Sequence, residues 1–262
     1  MLKSLFSGVS GLQSHQIAMD VESNNIANVN TIGFKSSRAE FADLMYQTLE
    51  YAGTGTSQIT KSPTGIEVGL GVRPTAITKI FTEGNLKQTG NNLDVAITGK
   101  GFFKIELPDG TESYSRNGAF KLDENGTIVN SDGYKLIPEI VVPDDATDIS
   151  IGTDGIVSVI QPGQTQATQI GQMTTTNFIN PAGLHSLGDT LFLETEASGV
   201  PIEDTPGLNG LGILRQGFVE LSNVQLVVEL TELITGQRAY EADSKAITTS
   251  DEMLQTVVNL KR

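Results

Sequence analysis

The 262-residue chain contains no cysteine. Disulfide frameworks, thiol nucleophiles and Cys-ligated zinc are excluded together. Tryptophan is absent and aromatic residues make up 6%, so Leu, Val and Ile must fill any core. No stretch approaches the roughly 20 apolar residues that span a bilayer. Met1–Ser14 lacks the apolar core, basic flank and small-residue cleavage site of a secretory signal, so export is expected to follow a route that reads another signal. Histidine occurs only at His15 and His185, with no carboxylate at metal-ligand spacing in the sequence. Basic residues are short as well: 17 Lys and Arg face 31 Asp and Glu, a net charge of −14. A nucleic-acid role would work against that field and is set aside.

What is present is enough for a core, with 38% apolar residues, and 28 glycines favour many turns. The charge is uneven. Residues 1–45 carry three basic and four acidic side chains and 223–262 four and six, so −11 falls on the middle.

The two ends share a period of seven. Near the C-terminus Leu226, Leu233, Tyr240, Ile247 and Leu254 form one row, and Ala239, Ala246, Met253 and Leu260 a second. A helix opening from a Ser222-Asn223 cap and running to Leu260 is predicted. At the N-terminus Leu5, Leu12, Met19 and Ile26 form an unbroken row, predicting a helix from about Lys3 to Ala27. A sevenfold apolar row needs a partner helix. The partner is either the other end of the same chain or a copy in an assembly, and periodicity alone leaves both open.

Between the ends the period falls to two. Leu93, Val95 and Ile97 alternate, as do Phe103, Ile105 and Leu107, punctuated by Asp109-Gly110, Asn117-Gly118, Asn125-Gly126, Asp132-Gly133 and Asp154-Gly155. Such pairs suit tight turns and predict an antiparallel β domain. Gly53–Gly65 has nine Gly, Ser or Thr in thirteen positions, which reads as an extended linker. The predicted fold class is α+β. A terminal helical assembly domain, 1–45 with 217–262, forms a coiled-coil-like unit; 46–72 is the linker; 73–216 is the inserted β domain.

No chemistry-bearing constellation emerges. Asp144, Asp145 and Asp148 follow Pro143 in a polar loop, where solvated carboxylates are the rule. Asp123-Glu124-Asn125-Gly126 starts like a calcium loop, but the twelfth position is Tyr134 and the bidentate acid is missing. Gly69-Leu70-Gly71 lacks the third glycine of a dinucleotide site, and no nucleophile elbow or phosphate loop occurs. No enzyme activity, cofactor, metal or small-molecule substrate is expected.

The helix end reads Ser23-Asn24-Asn25-Ile26-Ala27-Asn28-Val29-Asn30-Thr31-Ile32-Gly33-Phe34-Lys35, and Gln237-Arg238-Ala239-Tyr240-Glu241 stands near the other end. These stretches resemble the paired signatures of the bacterial flagellar rod and hook axial proteins. The resemblance extends through Gly84-Asn85-Leu86, Gly99-Lys100-Gly101-Phe102-Phe103, Pro206-Gly207-Leu208-Asn209-Gly210 and Val219-Glu220-Leu221-Ser222-Asn223-Val224. Within that family it is greatest to the distal rod, with hook or proximal rod as the alternative.

The resemblance implies a subunit that polymerises into a rigid tube around an export channel, with helices inside and the β domain outward. Asn24, Asn25, Ala27, Asn28, Gly33, Phe34 and Lys35 would be its N-terminal motif. Leu226, Leu233, Gln237, Arg238, Tyr240, Ile247 and Leu254 would carry assembly at the other end. Implied partners are copies of itself, proximal rod proteins, hook protein, the peptidoglycan-layer and outer-membrane rings, the rod cap and the flagellar type III export apparatus. The implied location is the basal body, from periplasm to outer membrane. The segment 46–72 would be ordered only in the assembly. A secreted β-domain binding protein and a hydrolase using its acidic loops are the readings from other classes, and neither accounts for sevenfold helices at both ends.

Overall fold

A computed structural model of the chain describes residues 2–53, 63–163 and 166–260. Most of the Gly/Ser/Thr-rich run therefore lies outside the described residues, as do the side chains of Leu2 and Leu260. The class is α+β: a helix at each end and a β-rich middle. The chain divides into two compact units, one of residues 1–26, 37–78 and 225–262, the other of 27–36 and 79–224. The sequence reading put its boundaries at 45, 72 and 216. In the structure 37–78 groups with the helices, while 27–36 and 217–224 group with the β strands.

In the helical unit, α1 (Leu2–Ala27) and α2 (Leu226–Leu260) are antiparallel neighbours. The 35 residues of α2 extend about 52 Å at ~1.5 Å each. It starts three residues later than predicted because Asn223 does not cap it. The first turn closes on the Gln225 carbonyl, which accepts from the amides of Val228 and Glu229. Strand β1 (Ser37–Asp43) pairs with β4 (Val72–Lys79), and β2 (Tyr46–Glu50) pairs antiparallel with β3 (Ile66–Gly69). The described part of the expected linker is thus a ladder, Tyr46↔Gly69 through Glu50↔Ile66. Tyr46, Thr48, Ile66 and Val68 are aromatic and β-branched residues that suit strands, a signal hidden by the Gly/Ser/Thr run beside it.

In the β unit every ladder with a described register is antiparallel. A seven-stranded sheet runs in the order 185–188, 191–193, 112–115, 103–106, 135–137, 128–129, 121–122, and a three-stranded sheet joins 148–151, 156–160 and 168–172. The predicted turns at Asp109-Gly110, Asn125-Gly126, Asp132-Gly133 and Asp154-Gly155 each join two paired strands. Gly118 does something else: its φ is not positive, and a Cβ there would overlap the Val95 carbonyl oxygen. The main core gathers Val95, Ile97, Phe103, Phe120, Ile128, Leu136 and Val157. A second cluster is aromatic, with Phe81 edge-on to Phe102 at 5.4 Å and Tyr114 to Phe178 at 4.8 Å.

Candidate assembly interface

The two helices meet through small and polar side chains. Ser4 Oγ is 3.4 Å from Ser250 Oγ, and His15 Nε2 is 3.7 Å from Asp243 Oδ2. Gly8 lies against Ile247, where a Cβ would stand 2.9 Å from Cγ1, and Gly11 presses on the Asp243 carboxylate. Gly236 lies opposite Met19. The α2 row facing α1 is therefore Glu229, Gly236, Asp243 and Ser250, itself spaced by seven. Sequence reasoning missed it because an apolar search skips polar and glycine positions. It also missed the His15–Asp243 contact, which joins residues remote in sequence.

Two members of the predicted rows take part in this contact, Ile247 on Gly8 and Met19 on Gly236. Leu5, Leu12, Met19 and Ile26 are half-buried on α1, and Leu233, Ile247 and Leu254 are half-buried on α2. Leu226, Gln237, Arg238 and Tyr240 stay exposed, as do Ala246 and Met253 of the second row. Several large apolar side chains stay exposed on the unit: Phe6 is 73% exposed, Val227 77% and Ile234 50%, and Met45, Leu49 and Tyr51 protrude around β2. So many large exposed apolar side chains on one unit point to an interaction surface.

The motif residues do separate jobs. Asn25 is buried and makes three hydrogen bonds to two residues: Nδ2 donates to Ser37 O at 2.8 Å and to Glu229 Oε2 at 3.0 Å, while Oδ1 accepts from Ser37 N at 2.9 Å. Beside it, Glu22 lies between the helices with Oε2 unpartnered among the described residues. Burial, then the carboxylates of Glu232 and Glu229, push Glu22 up to about 7. Asn24 lines a groove on α1. Ala27 is exposed at the end of α1, and Asn28 accepts from the Thr31 hydroxyl at 3.1 Å.

Gly33, Phe34 and Lys35 belong to the β unit. Gly33 adopts φ +70°, and a Cβ there would meet the Arg116–Asn117 backbone at 2.6 Å. Its amide donates to the Glu220 carbonyl at 2.8 Å. Phe34 lies under the Lys79 ammonium, 5.1 Å from the ring centre.

Lys35 ends in a buried ionic clasp. Its Nζ stands 2.6 Å from Glu220 Oε1 and donates to Thr82 O at 2.6 Å; Arg116 Nε reaches Glu220 Oε2 at 2.8 Å. Gly84 N donates to Oε1, and Arg116 NH1 donates to the carbonyls of Gly99 and Gly101. Burial pulls the Lys35 ammonium below its ordinary value, with Glu220 opposing. Glu220 and Arg116 were not singled out from sequence, although Glu220 lies inside a quoted motif. Two cations, one carboxylate and fixed carbonyls leave little free capacity for a ligand. The arrangement holds backbone in place.

Among the described residues no group of three or more His, Cys, Asp or Glu is placed to hold a metal ion. His185 lies exposed on the edge strand His185–Gly188.

Three family models match the chain. Residues 5–35 match that described as flagella basal body rod protein, 96–159 the flagellar hook protein FlgE/F/G D1 domain, and 215–260 the flagellar basal body rod FlgEFG protein C-terminal. Relatives named flagellar basal-body rod protein FlgG align along essentially the whole chain. The one from Buchnera aphidicola (Acyrthosiphon pisum) is 52% identical over 99% of this chain and 100% of its own length. That from Borreliella burgdorferi is 47% identical over 100% of both. A flagellar hook protein FlgE from Helicobacter mustelae is 48% identical, over 51% of this chain and 30% of its own.

Proposed function

The chain belongs to the family of the flagellar basal-body rod protein FlgG, and on that premise we propose that it forms the distal rod, the shaft that carries torque from motor to hook. It is a structural subunit of the flagellar rod. The observation that carries the mechanism is the apolar surface left on the helical unit after α1 and α2 have paired. Phe6 and Val227 are mostly uncovered and Ile234 is half uncovered within the described chain. Burying each fully in a neighbour would contribute about 1.5–3 kcal/mol. Heterologous contacts that do not close build a helical tube.

In this reading Leu5, Leu12, Met19 and Ile26, with Leu226, Leu233, Tyr240, Ile247 and Leu254, lie in a dense helical layer around the export channel. The nearly neutral ends permit that density, and salt screens the acidic β units over about 8 Å. The finer partners follow from the family premise: proximal rod proteins below, hook protein above, ring proteins around, and export by the flagellar type III apparatus to a rod crossing the periplasm. Hook protein is the weaker alternative, because the hook relative matches half of this chain. Electron microscopy of the purified polymer tests the proposal. A straight tube is expected, and a curved one or none would overturn it.

A further inference from the structure

A groove of about 330 Å³ runs along α1 within the helical unit, floored by Ile17 and Val21 and walled by Ile77 of β4. Asp20 stands at its rim. Ile77 is 57% exposed, and Asp20 has no side-chain partner among the described residues. On α2, Arg238 is exposed without an ion pair among the described residues, and Tyr240 is 38% exposed. Both lie within the Gln237–Glu241 motif, which the helix pairing does not use.

Their heights match. The contacts Ser4–Ser250, Gly11–Asp243 and Asn25–Glu229 place Gln16 level with Arg238 along the helix pair. Asp20 is four residues further along α1, about 6 Å. Helical side chains lean toward their own N-terminus. Because α2 runs opposite to α1, Arg238 and Tyr240 lean toward the level of Ile17, Asp20 and Val21. A second copy standing alongside in the same orientation meets the groove with little axial shift.

We infer that the groove beside Asp20 receives the Arg238 and Tyr240 side chains of a neighbouring copy. The Tyr240 ring fills the apolar floor, and the Arg238 guanidinium pairs with Asp20 at the rim. One copy offers the groove and the next offers α2, a head-to-tail contact that repeats without closing. The inference rests on the rod-polymer reading and names one of its contacts.

The test replaces the chain in a flagellated bacterium with Asp20→Lys, Arg238→Glu or both. Like charges placed against each other should cut the yield of rod-bearing basal bodies about tenfold or more in each single variant. The double exchange should restore most of it, and the purified chains should melt alike. Normal assembly of the single variants, or a double no better than either, overturns the contact. The cysteine-free sequence allows a second measurement: Asp20→Cys and Arg238→Cys chains, co-expressed, should be linked to each other in isolated rods by a bis-maleimide whose span exceeds the ~7 Å Cα reach of a disulfide. Rods without linked pairs also overturn it. Basal bodies lacking the wild-type chain would instead overturn the polymer reading itself.

Discussion

Lys35 Nζ and Glu220 Oε1 meet at 2.6 Å across 185 residues of sequence, both fully buried. Their pairing binds the segment after α1 to the strand Phe218–Glu220. Lys35→Met leaves Glu220 with Arg116 as its one cation and the Gly84 amide on Oε1, and Glu220→Ala leaves two buried cations without their carboxylate. Removing one partner of a buried pair costs about 3–5 kcal/mol. Urea unfolding of the β unit should show a loss in that range, larger for Glu220→Ala; unchanged midpoints would mean that solvent reaches the clasp.

Gly8 has no room for a side chain, because Ile247 is β-branched and cannot swing far. Gly8→Leu should wedge the helices apart at a cost of about 1–3 kcal/mol, the usual range for overpacking. Hydrogen exchange should show α2 amides near Ile247 losing protection, while Val95 and Phe103 in the β core keep theirs.

Glu22 makes the helix pair sensitive to acid in an unusual direction. Its folded value is about 7 against an ordinary 4.5. The folded helices therefore hold a proton that the unfolded chain releases, so this contribution is complete below 4.5 and fades as pH rises through 7. Circular dichroism should find the helical signal melting at a higher temperature at pH 5 than at pH 8. Glu22→Gln should shrink that difference, and an equal slope in the variant would assign it to other groups.

Ile234 and Ile247 separate assembly from folding. Ile234 faces outward, whereas Ile247 packs on Gly8 of its own chain. Ile234→Asp should leave the monomer's helix content intact and lower polymer yield about tenfold, as a buried unpaired charge does. Ile247→Asp should lower both, with the β unit still folded. Sedimentation and circular dichroism on the same samples check the pair.

The sequence made the helices readable because Leu5 to Ile26 and Leu226 to Leu254 repeat at a helical period, and it made the hairpins readable because Asp-Gly and Asn-Gly have few other uses. The helix contact was hidden for the opposite reason. Gly11 and Asp243 carry no hydrophobic signal, and their closeness exists only after two ends of the chain have met. The clasp was hidden by distance: a Lys, an Arg and a Glu are ordinary surface residues until folding buries them together. The role of Asn223 was misread because an Asn before an apolar run looks like a cap.

Asn223 instead accepts from Ser36 N at 2.8 Å and donates to Ile80 O at 2.8 Å and the Thr82 hydroxyl at 2.9 Å. Residues 36 and 224 are where the chain leaves the β unit, and 79 is where it enters again. One amide side chain thus splices three of its crossings. Tension arriving on any single strand is spread over all three, loading them in parallel like the wires of a cable instead of peeling one at a time.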